Sequence, residues 1–184
     1  SLRNFSRLDE AEMKPVDMHE GIDSTLLILQ NRLKARSGRV GILVIKEYGD
    51  LPRVDCYAGQ LNQVFMNVLS NAIDALEESA LNSTTADNRQ VRAESPQIRI
   101  RTEVLDGEWV AIRIADNGPG MTELVRRKLF DPFFTTKPVG KGTGLGLSIS
   151  YQIVVEKHGG RFHCVSALGQ GTEFVIEIPI EQKS

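Results

Sequence analysis

One long amphipathic helix sets the terms on which this chain can fold. From about Ala58 to Ser79, the residues Leu61, Val64, Phe65, Val68, Leu69, Ala72, Ala75 and Leu76 recur at three- and four-residue steps and form a broad apolar stripe. A stripe of that width has to be buried against other elements, so the helix demands partners on its apolar side. Beside it, Asn67, Asn71, Asp74 and Glu78 follow at offsets of four, three and four and make a polar row along the edge of the buried face.

The flanking segments supply those partners. From Asp17, the residues Met18, Ile22, Leu26, Leu29 and Leu33 lie along one side of a first helix that the pattern carries to near Gly38. Val40 to Tyr48 is rich in β-branched residues and ends at Gly49-Asp50-Leu51-Pro52, which reads as a strand and its turn. Gln97 to Val104 and Trp109 to Ala115 alternate as strands, joined by a loop whose Asp106-Gly107 pair signals a hairpin. A short helical stretch follows at Thr122 to Phe130. A third helix carries Ile149, Ile153 and Val154 and stops at His158-Gly159, where glycine suits a left-handed cap. Two last strands, Arg161 to Ser166 and Thr172 to Ile180, are joined by the Leu168–Gly171 turn. Residues 79–96 have little periodicity and read as a surface insertion, and residues 1–16 as the tail of a helix and a connector.

At 184 residues the chain suits one domain, 17–184, after that connector. Its 22 Lys and Arg against 24 Asp and Glu leave a net charge of -2, with no global field to draw in nucleic acid or an anionic membrane. Apolar runs are short, about four residues as in Leu26–Leu29, so no segment reads as a membrane span and the expected setting is cytoplasmic. Cys56 and Cys164 stand far apart, without metal-ligand spacing, and read as reduced thiols.

Two glycine clusters invite a phosphate hypothesis, because glycine lets backbone N–H groups approach an anion and a helix N-terminus presents further donors. The second, Gly142-Thr143-Gly144-Leu145-Gly146-Leu147, opens a helix. It is neither a Walker A loop nor a dinucleotide fingerprint, since the required Gly, Lys and Ser/Thr spacings are absent. Single residues in these segments also have ordinary readings. Asp116 could make an Asx turn before Gly118, Phe133 and Phe134 could be core aromatics, and Lys137 and Lys141 could be solvated charges.

The combination is more telling than its parts. Asn67-x-x-x-Asn71, Asp116-x-Gly118-x-Gly120, Asp131-Pro132-Phe133-Phe134 and Gly142-x-Gly144-x-Gly146 stand in that order. This set resembles the nucleotide-binding boxes shared by sensor histidine kinases, DNA gyrase, the mismatch-repair ATPases and the heat-shock chaperone ATPases of the Bergerat type. The resemblance runs from about Asp17 to Ile180 and is closest to the catalytic domain of a two-component sensor histidine kinase, above all in the phenylalanine box beside Gly-Thr-Gly-Leu-Gly-Leu.

Resemblance then implies roles. Asn71 matches the asparagine whose amide oxygen ligates Mg²⁺ on the phosphates of ATP, and oxygen is the ligand that cation prefers. Asp116 matches the aspartate that accepts a hydrogen bond from the adenine amino group, and Thr172 a threonine that helps to orient it. Asp74, Gly118, Gly120 and Phe133 would join the nucleotide site. Gly142, Thr143, Gly144, Leu145, Gly146 and Leu147 would pass close to the phosphates, with Lys137 or Lys141 meeting their charge. Asn67 stands where hydrolysing relatives carry a glutamate base, and an amide cannot take up a proton, so ATP would be held for transfer rather than hydrolysed.

The acceptor implied by the family is a histidine on a separate dimerising helix hairpin. His19, His158 and His163 do not fit its motif, and Ser1–Leu8 reads as the exit from that hairpin's second helix. The expected fold is a two-layer α/β sandwich of the Bergerat type: a mixed, mainly antiparallel sheet, three helices on one face and a flexible ATP lid from Gly120 to Lys141. The implied partners are ATP, the histidine-bearing domain of the same protein, a response regulator and, in the full-length protein, a second copy. The parent protein could be membrane-anchored, without membrane contact by this chain. An anti-sigma-factor-like serine kinase and a non-catalytic nucleotide-sensing module are the alternatives.

Overall fold

The computed structural model describes residues 12–83, 95–134 and 145–182, with backbone only at 80–83. Five strands form one sheet in the order β2 (Leu43–Tyr48), β4 (Gln97–Leu105), β5 (Trp109–Asp116), β7 (Thr172–Pro179), β6 (Arg161–Ser166). Only the β2–β4 pair is parallel, and the other three are antiparallel, as the mixed sheet expected. Two shorter strands, β1 (Lys14–Val16) and β3 (Val54–Cys56), pair antiparallel in a second sheet. Neither was legible: three residues carry no measurable periodicity, and their pairing joins distant parts of the chain.

Alternation along the strands divides the large sheet into two faces. Ile98 and Ile100 of β4, Val110, Ile112 and Ile114 of β5, Phe174, Ile176 and Ile178 of β7, and Phe162 and Cys164 of β6 are buried on one face. The opposite face is charged, with Arg101 on Glu173 at 3.0 Å, Arg161 on Glu177 at 2.6 Å, and the Arg161 guanidinium over the Trp109 ring. A sheet with one dry and one wet face needs helices on a single side, and the sandwich follows from that.

The helix that opened the sequence reading is α3 (Ala58–Ser83), four residues longer than its expected end at Ser79. It packs on β5 and lies between α1 (Met18–Ile28) and a C-terminal helix, α5 (Gly146–Tyr151), which runs on as a π-helical stretch over Gln152–Lys157. Helix α1 is tied over the sheet by His19, whose Nε2 lies 2.8 Å from the Thr102 hydroxyl, and by Asp23, which accepts from Lys46 and the Tyr48 hydroxyl.

The first helix does not reach Gly38. It breaks at Leu29, resumes as α2 (Gln30–Leu33) and ends at Lys34, whose backbone is extended. Gly38, at φ +77°, serves a tight turn in which Arg36 and Arg39 exchange backbone hydrogen bonds of 2.9 Å. Strand β2 accordingly starts at Leu43 rather than Val40, because the Ile42 amide is spent on the Leu33 carbonyl. The Asp106-Gly107 hairpin forms as expected, both residues at positive φ. The short helix, α4 (Glu123–Lys128), is capped by Thr122, whose hydroxyl accepts from the Val125 amide at 3.2 Å.

Candidate nucleotide site

The site grows from the polar row on α3. Asn67, Asn71 and Ala75 stand at four-residue steps, so they follow one another along one side of the helix. At the first step Asn67 holds the start of α5: its amide nitrogen donates to the Gly146 carbonyl at 2.9 Å and to the Ser150 hydroxyl at 3.0 Å. Ser150 is completely buried and itself donates to the Gly146 carbonyl at 2.8 Å. One turn on, the Asn71 amide nitrogen donates to the Asn67 carbonyl at 2.8 Å, and its Oδ1 has no hydrogen-bond partner among the described residues. At the third step Ala75 meets the strand end, where a Cβ on Gly118 would lie 3.4 Å from the Ala75 methyl and 2.9 Å from the Asp116 carboxylate. The polar row of α3 thus runs toward the end of β5, with Asn71 one helical turn before the Ala75–Gly118 contact.

Asp116 closes β5 on the helix-facing side and is only 8% exposed. Its carboxylate accepts from the Gly118 amide at 2.9 Å, so the Asx turn foreseen for Asp-Asn-Gly is present. Burial pushes its pKa up to about 6, against the opposing pull of the backbone N–H groups of Gly118 and Thr172. Two donors leave much of a carboxylate's acceptor capacity unspent. A buried carboxylate with acceptor capacity left over fits a ligand N–H donor such as the amino group of adenine, so the residues present suit the purine that the resemblance implies.

The rim beside Asp116 is built by close backbone approach. Gly120, at φ +72°, lies so near the β6–β7 turn that a Cβ there would overlap the Ala167 carbonyl. A Cβ on Gly171, at φ +78°, would overlap the Asp116 carbonyl. Glycine alone suits both positions. Thr172, in register with Asp116 across β5 and β7, is buried, and its hydroxyl lies 2.8 Å from that of Ser166.

Other expected residues fall differently. Asp74 belongs to the polar row, yet its carboxylate is engaged by Arg32 of α2 at 2.6 Å; Arg32 also reaches Glu77 at 2.8 Å, and Arg39 holds Glu77 at 2.6 Å. Phe133 is 74% exposed at φ +68°, so it is no core aromatic; Phe130, three residues earlier, packs on Tyr151 and Phe162 instead. Leu147 packs against the core, and the Leu145 carbonyl accepts from the Ser148 hydroxyl at 3.0 Å. Lys137, Lys141, Gly142, Thr143 and Gly144, with most of the expected lid, lie outside the described residues.

The histidines are engaged elsewhere. His19 stacks on Tyr48 with ring centroids 4.0 Å apart, His163 is exposed on β6, and His158 is wholly buried. Sequence reasoning missed Ser150 and Ser166. Ser150 had a faint signal, four residues after Gly146 on the same helix; Ser166 had none, because its partners come together only when β6 pairs with β7.

Residues 57–182 match the model of a family described as histidine kinase-, DNA gyrase B- and HSP90-like ATPase. The sensor kinase CckA of Brucella abortus (strain 2308) is 40% identical over 182 residues, covering 97% of this chain and 18% of that protein. The chain thus spans under a fifth of the length of that relative. Among solved structures, the catalytic domain of histidine kinase ThkA superposes with a TM-score of 0.71 at 28% identity, over 92% of this chain and 98% of that one. ThkA in complex with the response regulator TrrA matches at 0.66 and 25%, over 92% and 42%. Full-length ShkA in complex with AMPPNP matches at 0.71 and 25%, over 94% and 32%.

Proposed function

The chain belongs to the histidine kinase-, DNA gyrase B- and HSP90-like ATPase family, and on that footing we propose that it is the ATP-holding catalytic domain of a sensor histidine kinase. The observation that carries this reading is the meeting of the α3 polar row with the end of β5 at Ala75, Gly118 and Asp116. Asp116 is a buried acceptor at the end of β5, where a Cβ on Gly118 would touch both its carboxylate and the Ala75 methyl; Asn71, whose amide oxygen has no described partner, stands one helical turn before Ala75 on α3. Asp116 accepts from the adenine amino group, Gly118 and Gly120 let the rim approach the base, and Thr172 backs the aspartate. Asn71 offers its Oδ1 to Mg²⁺, which would neutralise phosphate charge when bound.

Asn67 acts by position. Both protons of its side-chain amide are committed to Gly146 and Ser150, so it anchors the helix that follows the expected phosphate segment. It supplies no base to activate water, which favours holding the γ-phosphate for another nucleophile. That nucleophile is a histidine on a dimerisation hairpin of the same protein, arranged as a homodimer, and the phosphoryl group passes on to a response regulator. Likeness to ThkA, solved in complex with the response regulator TrrA, supports the response-regulator step, and likeness to AMPPNP-bound ShkA supports the nucleotide. Lys137, Lys141, Gly142, Thr143 and Gly144 complete the phosphate side, and Asp74 stands next to it. Among the described residues no helix is long and apolar enough to cross a membrane.

Titration calorimetry tests the reading. ADP and a non-hydrolysable ATP analogue bind, GTP does not, and Asn71→Ala removes the Mg²⁺ dependence while Asp116→Asn weakens binding with or without the metal. Unchanged affinities in both variants would overturn the site.

A further inference from the structure

We propose that Ser166 dictates the direction of the Thr172 hydroxyl and thereby makes the purine-reading row accept hydrogen bonds only, which selects a 6-amino over a 6-oxo purine. This deepens the nucleotide reading above and rests on it. Ile98, Asp116, Thr172 and Ser166 stand in register across β4, β5, β7 and β6, forming one row at the end of the sheet on its helix-facing side. Asp116 is the reader at its centre.

The polarity of the row follows from counting protons. Ser166 Oγ has three neighbours: the Met121 amide at 2.9 Å, the Gly171 carbonyl at 2.9 Å and the Thr172 hydroxyl at 2.8 Å. A hydroxyl has one proton and two lone pairs. The Gly171 carbonyl can only accept, so it takes the proton. The Met121 amide can only donate, so it takes one lone pair. Thr172 is left to donate its single proton into the other, and its own oxygen then offers nothing but lone pairs. With Asp116 beside it as a carboxylate, the row holds two acceptors side by side.

The surroundings hold this arrangement. The Gly169 amide donates to the Pro119 carbonyl at 2.8 Å, Gly120 lies close against Ala167 and Gly171, and Gly171 lies close against Asp116 and Asn117, so the segment after β5 is seated on the β6–β7 turn. An amino group at purine C6 brings N–H donors to two acceptors, whereas a carbonyl there sets oxygen against oxygen.

The test compares ADP with IDP, which differ at C6, by calorimetry on the full chain. The unmodified chain prefers ADP. In Ser166→Ala, Thr172 regains a free proton that can turn toward a 6-oxo group, and the ADP/IDP ratio narrows by about tenfold, the worth of one hydrogen bond reversed. Ser166→Thr, which keeps the hydroxyl, restores the ratio. If Ser166→Ala does not fold, Ser166→Cys, a weak acceptor and donor, narrows the ratio in the same direction. Equal loss of affinity for both nucleotides would mark Ser166 as merely structural and overturn the proposal while the nucleotide reading stands. A wild type that binds neither nucleotide overturns both.

Discussion

Asp116 is costly to the empty fold. Its folded pKa, raised to about 6 from an ordinary 3.8, means that the native state takes up a proton more readily than the unfolded chain. The sign is opposite to that of a salt-bridged carboxylate: above about pH 6 the buried charge destabilises, and between about pH 6 and 4 acidification relieves it. A shift of that size corresponds to about 3 kcal/mol at most. Asp116→Asn is expected to be more stable than the wild type at pH 8, with the advantage shrinking as pH falls through 6, read from urea midpoints across pH. The same variant binds adenine nucleotides less well, so stability and function trade at one residue.

Two hydrogen-bonded junctions control how the elements meet. At the first, Asn67 and Ser150 fasten α3 to the opening turn of α5. Asn67→Ala should cost about 1–2 kcal/mol and lower hydrogen-exchange protection in the Leu147–Ser150 amides more than in the middle of α3. The other junction is His158, wholly buried after the π-helical stretch. Its Nε2 accepts from the Tyr57 amide at 3.1 Å, and Nδ1 lies 2.8 Å from the Ile153 carbonyl, which fixes the neutral tautomer. Burial holds its pKa below 6.5. Its contribution is therefore complete above pH 6.5 and lost as pH falls below that. His158→Ala should cost about 3 kcal/mol at neutral pH, measured by urea unfolding, and less in acid.

For the whole molecule, one apolar and one charged sheet face decide the architecture, and the surface ion pairs on the outer face add little stability individually. A ligand that binds only the folded state raises its stability by mass action. At one hundred times its dissociation constant, ADP should add about 2.7 kcal/mol, which for a domain of this size raises the melting temperature by roughly 5–10 °C. GDP at the same concentration should leave the melting point near that of the empty chain; an equal rise with both would remove the adenine-reading role of Asp116.

Much of this was legible in local pattern. The apolar stripe of α3, the alternation of β4 and β5, the Asp106-Gly107 turn and the Gly159 stop are each decided by neighbours a few residues away, and periodicity reports those neighbours directly. The order of the four boxes pointed to the family for the same reason, because each box is contiguous. What remained hidden depends on contacts between distant segments. Three-residue strands such as β1 and β3 exist only by pairing with each other, the Ile42 amide is spent on the distant Leu33 carbonyl, and Asp74 meets Arg32 across forty-two residues of chain. The proton count at Ser166 is the clearest case: three partners, from a loop, a turn and a neighbouring strand, converge on one hydroxyl, and no reading of spacing along the chain could have assembled them.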